Sequence, residues 1–213
     1  MEIENTFFIS SDFEPQSKEL GKGSNGTVYL VKNNKDNKNY AAKVCNIHEN
    51  FDEKEQMLYF HKSIFFHNLF HPSIVKFYGI NTNFFTDPAI LEPTIITEYL
   101  SYCSLRKILD IEKKQLSEIE LSPTNKFIIL LGISDSMRYL HEKGIIHRNL
   151  KPENIFIDSD YNPHINDYYL SSFFPNLLTN SLKSGQISTQ IYMAPEILRY
   201  DDHYDSSVDV YSF

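Results

Sequence analysis

Disulfide frameworks, basic runs and long apolar runs are all missing from this chain of 213 residues. Its two cysteines, Cys45 and Cys103, are too few for a stapled secreted scaffold and lack the spacing of a structural metal site. A reducing compartment, the cytoplasm, is therefore expected. Positive charge is scarce: 20 Lys and Arg stand against 28 Asp and Glu, a formal net charge of -8. No basic stretch offers the footprint of a DNA or RNA backbone contact, so nucleic acid is not an expected partner. No apolar run approaches a membrane span, and Met1-Glu2-Ile3-Glu4-Asn5 carries acid where a signal peptide carries base, so no membrane partner is expected either. Internal repeats are absent too. What the chain does have is 41% hydrophobic residues, enough to pack one or two lobes.

Hydrophobic periodicity divides the chain into a strand-rich first part and a helix-rich second. Residues 17–45 alternate polar and apolar around two breaks, the glycines of 21–26 and the polar stretch 33–39, which predicts three antiparallel strands. Residues 52–70 turn helical, with Met57, Phe60, Ile64 and Leu69 predicted to share a face. Residues 74–80 and 94–100 read as two further strands. Past a connector at 99–104, residues 104–113 and 123–143 read as helices, the second with Ser122 as N-cap, Pro123 in the first turn and Gly144 as C-cap. Residues 155–165 read as a small hairpin turning at 158–162.

Several segments carry chemistry on this frame. Gly21-Lys22-Gly23-Ser24-Asn25-Gly26-Thr27-Val28 lets backbone amides approach a polyphosphate, although a plain glycine-rich turn looks the same in isolation. Lys43, in Tyr40-Ala41-Ala42-Lys43, sits on an otherwise apolar strand. His147-Arg148-Asn149-Leu150-Lys151-Pro152-Glu153-Asn154 is followed by His164-Ile165-Asn166-Asp167-Tyr168-Tyr169-Leu170, and then by Ser188-Thr189-Gln190-Ile191-Tyr192-Met193-Ala194-Pro195-Glu196. These segments match, in order, G-x-G-x-x-G-x-V, the third-strand lysine, H-R-D-L-K-P-E-N, D-F-G and A-P-E. Over residues 13–213 the chain resembles the eukaryotic protein kinase family, of serine/threonine or tyrosine-kinase-like type.

The resemblance implies an α+β, two-lobed protein-kinase-like fold. An N-terminal extension (1–14) would precede a five-stranded antiparallel N-lobe (15–100) and a partial helical C-lobe (101–213) lacking the family's last helices. It implies ATP and Mg2+ as cofactors, with Gly21, Gly23, Gly26, Val28, Ala41 and Lys43 on the nucleotide. Thr97 would be the gatekeeper, and backbone groups of Glu98 and Leu100 would meet the adenine edge. Lys151 would contact the transferred phosphate, and Asn154 and Asp167 would be the metal ligands. His147 would hold its loop, and Arg148 would receive a phosphate from Thr179, Ser181 or Ser184. Residues 209–213 look like the start of the buried helix that anchors the second lobe.

Departures from the pattern matter as much as the matches. Asn149 stands where the family carries its aspartate base, and an amide can orient a hydroxyl but cannot take its proton. Tyr168 brings a hydroxyl that needs a partner if buried. Tyr169 replaces a glycine, so the segment either takes ordinary backbone angles or stores strain. Lys62, nine positions before His71, stands where the helix glutamate pairs with the strand lysine. Glu55, two turns earlier, would serve only if the helix shifted, and a solvated Lys62 is the plain alternative. Together these features point to a pseudokinase that binds ATP and a protein partner. The alternatives are a slow serine/threonine kinase acting on a protein substrate, or a truncated, non-functional kinase copy.

Overall fold

Alternation drives the first part of the chain into an antiparallel sheet, as its period of two requires. The computed structural model describes residues 12–23, 25–47, 53–81, 93–114, 121–175, 190–199, 201 and 203–213. Two compact units emerge, one formed by Met1–Phe70 and Lys76–Leu100, the other by His71–Val75 and Ser101–Phe213.

The first unit holds β1 (Phe13–Gly23), β2 (Gly26–Asn33), β3 (Asn39–Cys45), β4 (Phe77–Asn81) and β5 (Thr94–Glu98), in the order β1-β2-β3-β5-β4. Every neighbouring pair is antiparallel. The turn from β2 to β3 is set by Asn33, whose side-chain oxygen accepts from the Lys35 and Asp36 amides, and by Asn37 at φ 60°. One face of the sheet buries Phe13, Val31, Tyr40, Ala42, Val44 and Ile96, with Tyr29 and Tyr78 packed against them. The Phe, Val and Ile side chains of this set each contribute about 1.5 to 3 kcal/mol when fully removed from water.

Helix α1 (Glu53–His67) forms where the period changes, but its phase differs from the expectation. Tyr59, Ser63 and Phe66 are buried, Phe66 lying 5.8 Å from the Phe77 ring, whereas Met57 is 55% exposed and Phe60 and Ile64 are only half-buried. Leu58 and Phe65 are exposed as well, so apolar residues surround the helix and spacing alone cannot say which face turns inward. The strand expected over 74–80 begins only at Phe77. Ile74 instead bridges Ile165 in the second unit, where Val75 donates to the Ile165 carbonyl and Ile165 to the Ser73 carbonyl.

The second unit is mostly helical. It contains β6 (Cys103–Ser104), α2 (Leu105–Lys114), α3 (Pro123–Glu142), a short 3-10 turn (Pro152–Asn154), β7 (Ile155–Ile157), β8 (Pro163–Ile165), α4 (Leu170–Phe173), α5 (Pro195–Leu198) and α6 (Ser207–Ser212). Ser122 caps α3 by accepting from the Asn125 amide at 3.1 Å, worth about 1 kcal/mol, and Gly144 follows the helix at φ 73°, a left-handed angle that suits glycine. Ile129, Ile133, Met137 and Leu140 form the buried stripe of α3. A Cβ at Gly132 would come within 2.5 Å of Pro163, so this glycine lets α3 press against β8. The small strands β6, β7 and β8 pair in that order, the hairpin turning where expected. Met193, Ala194, Ile197 and Val208 make a separate buried cluster that joins α5 to α6. Among the described residues no helix is long and apolar enough to cross a membrane.

Candidate active site

In the first unit, sheet register collects four of the expected residues. Val28 pairs with Lys43 and Ala41 with Thr97, and positions two apart on a strand share a face. Val28, Ala41, Lys43 and Thr97 therefore lie on one side of the sheet, opposite the face that buries Val31, Ala42 and Val44. Val28, Ala41 and Lys43 are half-exposed there, while Thr97 is buried. The glycines of the β1–β2 turn divide by role. A Cβ on Gly26 would fall 2.0 Å from the Val44 carbonyl oxygen, and the residue holds φ 147°, so the fold itself demands glycine. At Gly21 and Gly23 no described atom lies within 4 Å of where a Cβ would sit, and both residues are exposed. Their bare backbone therefore leaves room for a ligand such as a phosphate.

At the end of β5, the Glu98 amide donates to the Lys76 carbonyl at 2.9 Å, so any backbone contact of Glu98 with an adenine edge falls to its carbonyl. The Glu98 carboxylate accepts from the Lys76 amide at 2.7 Å. Lys76 Nζ in turn donates to the His67 and Leu69 carbonyls at the end of α1. Leu100 is half-buried just past the strand. Lys62 is not simply a solvated residue: it is half-buried, its Nζ lies 5.8 Å from the Tyr59 ring centroid, and burial holds its pKa below the usual lysine range. Glu55 is exposed on α1.

In the second unit, the loop after α3 is held from three directions. Asp209, 1% exposed at the start of α6, accepts from the His147 amide at 2.8 Å and the Arg148 amide at 2.7 Å, and lies 2.9 Å from His141 Nε2. The Asn149 amide donates to His147 Nδ1 at 3.3 Å, which makes Nε2 the protonated ring nitrogen, donating to the Asn166 carbonyl at 2.9 Å. Arg148 takes a left-handed φ of 63°, and its guanidinium lies 5.1 Å from the Tyr204 ring centroid. His147 thus holds its loop, as the sequence implies. Sequence reasoning placed Asp209 in the anchoring helix but gave it no such duty, and its partners lie more than 60 positions away.

The residues expected to do the chemistry meet around this loop. Asn149 is 8% exposed, and its Oδ1 has no hydrogen-bond partner among the described residues. The Asn154 side chain donates its Nδ2 to the Asn149 carbonyl at 2.8 Å, which turns its own oxygen the other way, as a hard cation would require. Lys151 is half-buried immediately before the 3-10 turn. Pairing of Ile155 with Ile165 brings Asn154 and Asn166 to the same end of the β7–β8 hairpin, where the Asn166 amide donates to the Asn154 carbonyl at 2.9 Å. Asp167 follows directly, buried, at a left-handed φ of 64°. An amide oxygen and a carboxylate so delivered fit a divalent cation in chemistry. Among the described residues, no group of three or more His, Cys, Asp or Glu side chains could hold a metal.

The two tyrosines settle into ordinary roles. Tyr168 is 0% exposed, and its hydroxyl donates to the Val75 carbonyl at 3.0 Å, the partner that its burial demands. Tyr169 has helical angles, φ -83° and ψ -23°, so it stores no backbone strain; the unusual angle falls on Asp167 instead. Ser24, Thr179, Ser181, Ser184, Ser188 and Thr189 lie outside the described residues. Ala194, Pro195 and Glu196 lead into α5, with Ala194 buried in the cluster that meets α6.

The family model for the protein kinase domain matches residues 15–213. The chain belongs to the protein kinase family. Similar proteins include one from Dictyostelium discoideum described as a probable serine/threonine-protein kinase, 32% identical over 216 residues, covering 100% of this chain and 14% of that protein. Serine/threonine-protein kinase Sgk1 of Xenopus tropicalis is 32% identical over 200 residues, covering 93% of this chain and 44% of that one. A protein kinase and PP2C-like domain-containing protein of Arabidopsis thaliana is 36% identical over 116 residues, 48% of this chain and 18% of that one. This kinase domain therefore spans well under two thirds of the length of these relatives. Its mixed α+β architecture, an antiparallel five-stranded sheet followed by a helical unit, is that of a kinase-like fold. Protein kinase domains in general use ATP with a divalent metal ion.

Proposed function

We propose that this kinase domain binds ATP and Mg2+ but transfers phosphate poorly or not at all, and acts in the cytoplasm as a pseudokinase whose nucleotide-dependent surface is read by a protein partner. Asn149 carries the reading: a buried amide whose oxygen has no hydrogen-bond partner among the described residues stands at the position of the base. It can align a hydroxyl by accepting a hydrogen bond, yet it offers no site for the proton. Gly21, Gly23, Gly26, Val28, Ala41 and Lys43 would hold the nucleotide, with Thr97 as gatekeeper and Glu98 and Leu100 at the adenine edge. Asn154 and Asp167 would hold Mg2+, which supplies charge neutralisation on the phosphates when bound. Lys151 would face the transferred phosphate.

Thermal unfolding tests the binding half. Mg-ATP at about a hundred times its dissociation constant stabilises a folded protein by about 2.7 kcal/mol, and Lys43→Met should remove that shift. Absence of any shift in the folded, unmodified chain rules nucleotide binding out. The catalytic half is tested by Asn149→Asp. Restoring a base is expected to raise phosphoryl transfer by about a hundredfold to ten-thousandfold. The second reading, a slow serine/threonine kinase, draws on the same Asn149 oxygen, since positioning carries much of phosphoryl transfer. Slow but sustained phosphoryl transfer by the unmodified chain, abolished by Lys43→Met, would replace the pseudokinase reading with that one.

A further inference from the structure

We propose that Tyr169 is a positioning residue for Asp167, setting the carboxylate that receives the divalent cation; this rests on the reading of Asp167 as a cation ligand. The Tyr169 ring is 1% exposed and packs edge-on against Tyr168, with centroids 5.2 Å apart, so its hydroxyl has a fixed location. That hydroxyl lies 3.1 Å from Asn166 Oδ1 and 3.4 Å from Asp167 Oδ1. A phenol has one proton to donate, so the two acceptors compete for it. With Asp167 unneutralised, the carboxylate draws the proton and is held in one rotation. The bond to Oδ1 leaves Oδ2 for the cation and is kept when the cation binds, so the loaded site retains the same rotation.

Backbone geometry makes such a guide possible. Asp167 occupies a left-handed angle while Tyr169 is helical, so the chain reverses sharply at Asp167 and returns the Tyr169 hydroxyl to its carboxylate. The hydroxyl two residues on does what an outer-shell partner does in metal sites, where removal commonly weakens metal affinity by about tenfold to a hundredfold. The neighbouring Tyr168 hydroxyl makes a different bond, to the Val75 carbonyl, and serves as an internal control.

ATP binding measured by calorimetry across a series of free Mg2+ concentrations tests this. Tyr169→Phe keeps the buried ring and removes only the hydroxyl. It is expected to raise the Mg2+ concentration for half-maximal tightening by about tenfold or more, while metal-free ATP affinity stays within about twofold. Tyr168→Phe is expected to leave the Mg2+ requirement unchanged. A rise of less than about threefold in Tyr169→Phe, a lowered requirement, or equal weakening with and without Mg2+ each overturns the proposal. If the unmodified chain binds ATP with no dependence on Mg2+, the reading of Asp167 as a cation ligand fails, and this proposal fails with it.

Discussion

Asp209 offers the sharpest test of how this fold holds its loop. Its carboxylate is almost fully buried and receives the His147 and Arg148 amides at 2.8 and 2.7 Å, with His141 Nε2 at 2.9 Å. Asp209→Ala leaves two backbone donors without their acceptor. Each such buried orphan costs about 1 to 3 kcal/mol, so the substitution should destabilise by about 2 to 6 kcal/mol. Against a total stability of about 5 to 15 kcal/mol for an ordinary domain, that is a large fraction. Asp209→Asn is the finer probe. It keeps the shape, but an NH2 group replaces one oxygen and faces a backbone N–H, so one donor is lost instead of two and the cost should be about half. Urea unfolding with the slope held constant between variants reads both values. If Asp209→Ala unfolds within 0.5 kcal/mol of the parent (about the scatter of neutral surface changes), or if Ala and Asn destabilise equally, the converging-donor account is wrong.

Gly26→Ala should destabilise by more than about 2 kcal/mol, because the added carbon meets the Val44 carbonyl at 2.0 Å in a glycine-only conformation, whereas Gly21→Ala and Gly23→Ala should fall within about 0.5 kcal/mol in the same thermal melts. Tyr168→Phe should cost about 1 kcal/mol by denaturant titration, since the buried Val75 carbonyl loses its donor. Burial pushes the Asp158 carboxyl up, but hydrogen bonds from the Asn162 side chain and amide, His164 and the Asp160 amide outweigh it and hold the group below its ordinary 3.8. Its stabilisation is therefore present above that pH and lost as pH falls through the depressed value; Asp158→Asn should remove this part of the acid sensitivity, and an unchanged acid-unfolding profile would contradict the assignment.

Much of this architecture was legible because it follows from local chemistry. The three opening strands, the Ser122 cap, the glycine after α3 and the β7–β8 hairpin all rest on period, capping and turn residues a few positions apart. The phase of α1 was not legible, since Met57, Leu58 and Phe65 give the helix an apolar exterior that only packing against the sheet distinguishes from its interior. Ile74 and Val75 read as the start of a strand because they are apolar and β-branched, yet their partner is Ile165, far along the chain. The same distance hid the bonds of Asp209. At the candidate site the motif string named Asn149, Asn154 and Asp167, but not that Asn154 spends its amide nitrogen on the Asn149 carbonyl, nor that Tyr169 reaches back to Asp167. Tyr169 escapes strain because the left-handed turn belongs to Asp167.

The β7–β8 hairpin acts as a calliper. Its jaws are Asn154 and Asp167, and its pivot is the Asp158 turn at the far end, with only three residues of strand on each arm. A sheet can slip only in whole residues, and a slip of one turns every side chain over. The jaw gap is consequently quantised: lengthening the turn preserves it while Ile155 still meets Ile165, and turns Asn154 and Asp167 apart once it does not.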